Sequence, residues 1–243
     1  MLFPFSDDDS DRKNRPVIVP LLILFNIICF AFQLCNWEPI MMSCGMIPYE
    51  LTHSVDLTGE ITCRIKEKEF AIRHSETFIS PWCGLFFSLF MHGSIFHLVG
   101  NMLFLAIFGD QVEDRIGKRL FLLFYLLSGL TGSVAHILAN PDSMLPVIGA
   151  SGAIAGIMGG YVFLYPHKKV KVLLFLLIER EIPAYLLMII WIGFQLVGMF
   201  NSGSNVAYFA HIGGFLFGLL FILQFTWAKM QLDKYVDKFE KPN

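Results

Sequence analysis

Six stretches of this chain, near residues 17–36, 94–111, 119–139, 147–165, 183–200 and 205–228, are each apolar over about the length a helix needs to cross a bilayer. A hydrocarbon core about 30 Å thick takes roughly 20 residues of helix. No water reaches the backbone there, so a crossing segment must bond its own N–H and C=O groups, as a helix does. The expected fold class is therefore an all-α membrane protein, a six-helix bundle. Composition agrees, with 55% of residues hydrophobic and a mean hydropathy of +0.60, above what a soluble globular domain carries. A net charge of −2 and a pI near 6.4 present no basic surface, so nucleic acid is not an expected partner and the lipid bilayer is.

Lys and Arg near the ends of spans mark the cytoplasmic side. With the N-terminus inside, only Arg64, Lys66, Lys68 and Arg73 of the 18 Lys and Arg residues fall outside, all in the first loop. The expectation is a multi-pass protein of the plasma membrane with both termini in the cytoplasm. Three regions follow: a cytoplasmic segment 1–16, a membrane domain 17–228 with an external loop over about 37–93, and a cytoplasmic tail 229–243. The first span is read as retained, since the acidic DDDSD tract precedes it and no A-x-A-like site follows. The apolar stretch 172–178 is too short to cross and reads as interfacial, as does part of PWCGLFFSLFMHGS in the first loop. Cys44 and Cys63 would face an oxidising compartment, where pairing is open to them, whereas Cys29 and Cys35 read as small apolar fillers. The tail KMQLDKYVDKFEKPN carries mixed charges at helical spacing, the pattern of a solvated helix end.

Polar groups inside spans are costly and often functional. Those singled out are His97 and Asn101 in the second span, His136 in the third, Ser151 in the fourth and His211 in the sixth. The even-numbered spans all run from outside to inside. His97, Asn101, Ser151 and His211 each lie within about seven residues of the outer end of their span, a depth of about 10 Å or less. A lone Ser in a span is usually a packing residue, but four polar residues at one level are not explained by packing. His136 has no such company and reads as structural. Ser151, Ala155 and Gly159 form one stripe of small residues, and His211, Gly214 and Gly218 another. Such stripes let helix backbones approach closely. If these two face each other, the hydroxyl comes within reach of the imidazole.

That pairing points to acyl transfer. A hydroxyl is a poor nucleophile until a base takes its proton, and neutral imidazole suits that role near physiological pH. Ser151 and His211 would form a catalytic dyad. The Asn101 amide, the His97 ring and the Ser151 backbone N–H are candidate donors to a developing oxyanion. No Asp or Glu lies at this depth to orient His211, and Ala153 departs from the G-x-S-x-G elbow. The histidines lack H-E-x-x-H spacing and the carboxylates lie in loops and tails, so no metal is expected and a metal channel built on His92, His97, His136 and His211 is disfavoured.

These motifs resemble the rhomboid family of intramembrane serine proteases, from the first span to the sixth. The resemblance rests on H-x-x-x-N in HLVGN (His97, Asn101), G-x-S-G in GASG (Gly149, Ser151, Gly152) and A-H-x-x-G in AHIGG (Ala210, His211, Gly214), with VEDRIG similar to the family's Glu-x-Arg turn. It implies Ser151 as nucleophile, His211 as general base, and His97 with Asn101 as the oxyanion hole. His92 matches a further, structural histidine. The implied activity is cleavage of single-pass transmembrane protein substrates within or beside their span, near the outer face, with no metal or other cofactor. A rhomboid-like protein that binds membrane clients without cutting them is the alternative. Two departures stand out: Trp82 is followed by Cys83 and not by Arg, and Ala155 stands where some members stack a Tyr on the base. The fifth helix is expected to carry none of the polar cluster and so to serve as a movable gate, with Trp191 and Phe194 as its bulky residues.

Overall fold

The structure, a computed structural model, describes residues 2–8, 12–35, 37–65, 68–74, 80–174, 178–201 and 206–240. Helices dominate. Strand β1 (Leu2–Asp7) is followed by α1 (Ile18–Cys35), α2 (Trp37–Cys44), α3 (Pro48–His53), β2 (Gly59–Ile65), β3 (Lys68–His74), α4 (Pro81–Phe87), α5 (Ile95–Ile116) and α6 (Lys118–Ala139). Then come α7 (Ser151–Leu164), β4 (Lys169–Leu174), β5 (Ile178–Pro183), α8 (Ala184–Gly198) and α9 (Tyr208–Glu240). Among the described residues four helices, α1, α5, α6 and α9, are long and apolar enough to cross a membrane, while α7 and α8 are shorter apolar helices.

The short α7 is the centre of the bundle, and every residue from Gly152 to Tyr161 is buried. Its 14 residues rise only about 21 Å. The expected span began at residue 147, but the helix starts at Ser151. Gly149, whose φ of +132° lies far from the helical region, does not permit an earlier start. The preceding residues are extended and tied to the first loop: Val147 exchanges backbone hydrogen bonds with Met46, and Gly149 N–H donates to Ser88 O at 2.8 Å. Non-helical backbone is tolerated beside a bundle when protein groups satisfy it in this way.

Glycine sets how closely α7 meets α9. A Cβ on Gly214 or Gly218 would collide with the backbone carbonyl of Gly152 or Gly156, and one on Gly159 with that of Phe215. The α9 stripe meets α7 across Gly152, Gly156 and Gly159, so of the expected Ser151, Ala155, Gly159 row only the two end residues share the contact. Helix α6 joins them, because a Cβ on Gly132 would lie 2.6 Å from Ala210 O. Towards the C-terminal end of α7 large rings take over, with Phe108, Phe121, Phe124, Tyr125 and Tyr161 fully buried. The small-residue end is thus the end that carries Ser151.

The VEDRIG turn anchors the first helix. The buried Glu113 carboxylate accepts from the backbone N–H groups of Val17, Ile18 and Val19 at 2.8, 2.9 and 2.9 Å. These are first-turn donors of α1 that have no partner within the helix, and the negative charge also meets the positive end of the helix dipole. Asp114 accepts from Lys13 N–H and Asn14 N–H, both at 2.9 Å, and Arg12 pairs with Asp110 at 2.9 Å.

Two small antiparallel sheets were not foreseen. The N-terminal residues and the stretch read as interfacial come together in one of them, in the order β1-β4-β5. The alternation Lys169, Val170, Lys171, Val172 has the strand period of two, and both valines are fully buried. The other sheet is the β2–β3 hairpin of the first loop. In the same loop α4 leaves Trp82, Phe86 and Phe87 exposed while Ser88 to Met91 are buried. Cys44 is a free thiol; the Cys63 side chain lies outside the described residues. The end of α9, as expected of the tail, is exposed through residue 237.

Candidate active site

Ser151 is the first residue of α7, and His211 lies in the first turn of α9. The glycine contacts between the two helices bring their N-terminal ends together, and Ser151 Oγ lies 2.7 Å from His211 Nε2. The hydroxyl has a base within direct hydrogen-bond reach, as nucleophile activation requires.

The ring is held from its other side by a residue that sequence reasoning missed. His211 Nδ1 lies 2.8 Å from Gln195 Oε1. Gln195, on α8, is buried, and its Nε2 donates to Trp191 O at 3.2 Å. Trp191 also flanks the imidazole, with ring centroids 5.9 Å apart. Gln195 and Trp191 fill the role left open by Ala155. They also correct the reading of the fifth helix: α8 carries part of the cluster, since its Gln195 is bonded to His211. The residues 202–205 after it lie outside the described set. The signal was present as a lone amide in an apolar span, which is costly unless bonded.

Asn101 lies two turns into α5 and is 9% exposed, yet its Nδ2 has no hydrogen-bond partner among the described residues. A buried amide donor without a partner costs about 1 to 3 kcal/mol, so an acceptor arriving there would be bound strongly. His97 is set by the cap of α5, where Ser94 Oγ accepts from His97 N–H at 3.1 Å. Its ring Nδ1 faces Gly93 N–H at 3.4 Å. Because an amide can only donate, Nδ1 accepts, and the proton of the neutral ring sits on Nε2. That Nε2 borders Gly149: a Cβ there would fall 3.0 Å from His97 Nε2 and 3.5 Å from Ser151 Oγ. His97 and Ser151 thus flank one glycine, which must remain glycine for both its φ and its space.

His92 is fully buried, its ring 5.1 Å from that of His97. Its backbone is clamped by Gln33 of α1, which donates to His92 O at 3.0 Å and accepts from His92 N–H at 3.1 Å. Neither ring nitrogen of His92 has a hydrogen-bond partner among the described residues. His136 lies on α6, and its Nδ1 has no partner among the described residues. A cavity of about 20 Å³ beside Ser151 is lined by Gly129, Ser133, Gly149, Gly152 and Ala210 among others. That is room for one water or a methyl-sized group.

Comparison with known proteins gives one family. The sequence profile of the Rhomboid domain matches residues 80–227. Rhomboid protein 1, mitochondrial, of Saccharomyces cerevisiae is 31% identical over 138 residues, covering 55% of this chain and 39% of the yeast protein. The rhomboid protease GluP of Bacillus subtilis is 34% identical over 137 residues, 56% of this chain and 25% of GluP. The putative rhomboid protease YdcA of the same bacterium is 32% identical over 154 residues, 63% of this chain and 71% of YdcA. The chain therefore spans well under half of the yeast protein and of GluP.

Proposed function

The chain belongs to the rhomboid family, and from that premise we propose that it is an intramembrane serine endopeptidase working through a Ser151–His211 dyad. The observation that carries this is the 2.7 Å approach of Ser151 Oγ to His211 Nε2, made by residues 60 positions apart on two helices. The relatives named as proteases support the reaction class, and the presence of both dyad residues favours it over a client-binding role without cleavage.

In this reading the integral multi-pass chain crosses the bilayer six times, with α7 and α8 completing the four long spans. Segments 1–16 and 229–243 lie in the cytoplasm, and residues 17–228 form the membrane domain. The asymmetry of Lys and Arg supports that orientation. The membrane is taken to be the plasma membrane. The substrate class is the single-pass transmembrane protein, cut near its outer end, where Ser151 and water meet.

His211 Nε2 takes the Ser151 proton as Oγ attacks the scissile carbonyl carbon. The oxyanion then forms beside Asn101 Nδ2, His97 Nε2–H and the Ser151 backbone N–H. Collapse of this intermediate breaks the C–N bond, and His211 returns the proton to the leaving amine. A water, deprotonated by the same Nε2, attacks the acyl-enzyme and releases the new carboxylate. A substrate helix has its carbonyls engaged in i to i−4 bonds and must unwind first, so Gly or Pro near the cut lowers the cost. The small-residue cavity beside Ser151 favours a small side chain there.

The test is cleavage of a single-pass reporter in proteoliposomes, with the cut mapped by mass spectrometry. Ser151→Ala and His211→Ala should each abolish it while inserting normally. A cut near the cytoplasmic end, or cleavage by either variant, would overturn the assignment.

A further inference from the structure

We propose that Gln195 is a positioning residue of this site, holding His211 in the tautomer whose Nε2 can accept the Ser151 proton. The proposal rests on the dyad reading above. It starts from which way the Gln195 amide faces. The NH₂ group donates to the Trp191 carbonyl at 3.2 Å, and the carbonyl oxygen faces His211 Nδ1 at 2.8 Å. Turned over, the amide would set oxygen against the Trp191 carbonyl, two acceptors with no proton between them. The internal bond of α8 therefore fixes the amide, and the amide fixes the ring.

An oxygen at Nδ1 requires the proton on Nδ1, which leaves a lone pair on Nε2. Nε2 is the atom that faces Ser151 Oγ at 2.7 Å. With the opposite tautomer Nε2 would carry hydrogen and could not receive the hydroxyl proton. Gln195 thus does by orientation what the aspartate of a Ser-His-Asp triad does, without its charge. A neutral acceptor suits this place, because an ionised carboxylate inside the bilayer is costly. Satisfying its own helix, the ordinary role of a glutamine in a span, uses only the NH₂ of Gln195 and leaves the oxygen for His211.

Gln195 also brings a fourth helix into the site, in addition to α5 with its His97 and Asn101. Ser151 comes from α7, His211 from α9 and Gln195 from α8, whose Tyr185, Ile189, Phe194 and Val197 are exposed along its length. Displacement of α8 away from α9 separates Gln195 from Nδ1, so the base is set for proton transfer only with α8 in place.

The experiment compares Gln195→Met, of similar length and lacking a strong acceptor, with Gln195→Glu, which keeps an oxygen, using the full chain in proteoliposomes with the reporter substrate. A positioning role expects Gln195→Met to lower kcat by about 10- to 100-fold, short of the roughly 10⁴-fold seen when a triad aspartate becomes an amide. KM should stay within about twofold of wild type, since substrate binding is not touched. Gln195→Glu should keep kcat within about tenfold of wild type and above the Met variant. A packing role expects the reverse order, with Met active and Glu impaired, and that result overturns the proposal. So does wild-type kcat in both variants, or equal loss in both. Thermal unfolding midpoints check folding, and if the Met variant does not fold, Gln195→Asn, whose shorter amide does not reach Nδ1, takes its place with the same expected loss. Ser151→Ala and His211→Ala run alongside. Cleavage by either removes the dyad reading itself, whereas their inactivity beside a fully active Gln195→Met removes only the role of Gln195.

Discussion

Gly218 of α9 lies against the backbone carbonyl of Gly156 of α7, so closely that no side chain fits between them. The separation of Ser151 from His211 depends on this contact two turns below. Gly218→Ala should push the helices apart, at a cost of about 1 to 3 kcal/mol from overpacking, and cut activity as the dyad opens. Gly193→Ala on α8 is the control, since a Cβ there meets nothing within 4 Å, and it should match or exceed wild-type stability by up to about 1 kcal/mol. Thermal unfolding in detergent reads both. Equal midpoints for the two variants would contradict this picture of the interface.

Asn101→Ala should lower kcat by about 10² to 10³-fold, the loss for one oxyanion donor. Reaction of Ser151 with a small phosphonylating reagent should persist, though more slowly, because the nucleophile and its base are untouched. Removing a buried donor that has no partner among the described residues should also leave the protein no less stable than wild type. A variant that is folded yet wholly unreactive at Ser151 would show that Asn101 does more than stabilise the oxyanion.

Glu113→Ala removes the acceptor for the Val17, Ile18 and Val19 N–H groups at once. Capping substitutions cost about 0.5 to 2 kcal/mol, and a buried carboxylate with three donors should reach or pass the upper end. The expected result is a lower unfolding midpoint with kcat per folded molecule unchanged, since the turn lies far along α5 from Asn101. Gln at this position, keeping one oxygen, should fall between the two. A kcat loss in protein shown to be folded would tie this turn to the site.

Glu50, buried on α3 in the first loop, accepts from Leu57 N–H at 3.0 Å. Burial pushes its carboxyl above the ordinary glutamate range, Asp56 adds to the shift, and the Leu57 bond opposes it. A raised value means that the fold favours the protonated form. Its contribution is therefore full below the unfolded value and is lost as pH rises through the raised one. Glu50→Gln, which mimics the neutral form, should be at least as stable as wild type near neutral pH, and its midpoint should fall less between about pH 4 and 7. A larger fall in the variant than in wild type would reverse the sign assigned here.

The order of the helices and the meeting of Ser151 with His211 were legible because hydropathy marks the spans and small residues mark the faces that can touch. Gln195 was not recognised because a glutamine in a span has no single reading, and its partner depends on the rotation of α8, which an almost uniformly apolar sequence does not encode. The late start of α7 was hidden in Gly149, whose positive φ is not announced by its place among apolar residues that read as span. The β1–β4 pairing joins residues more than 160 positions apart, and neither strand announces the other. Gln33, which clamps the backbone at His92, was not singled out in the first span, because its partner lies in the first loop 59 positions away and no pattern links the two.

Covalent labelling with a fluorophosphonate, followed by peptide mapping, tests the dyad most directly, because the reagent reports an activated serine without requiring the natural substrate. Wild-type protein in detergent should carry the label on Ser151 and lose reporter cleavage in proportion to its incorporation. Ser151→Ala should take up none, and His211→Ala should label far more slowly at an unchanged unfolding midpoint. Label that persists in Ser151→Ala, or full labelling of Ser151 in wild-type protein that still cleaves its reporter, would contradict the assignment of Ser151 as the nucleophile.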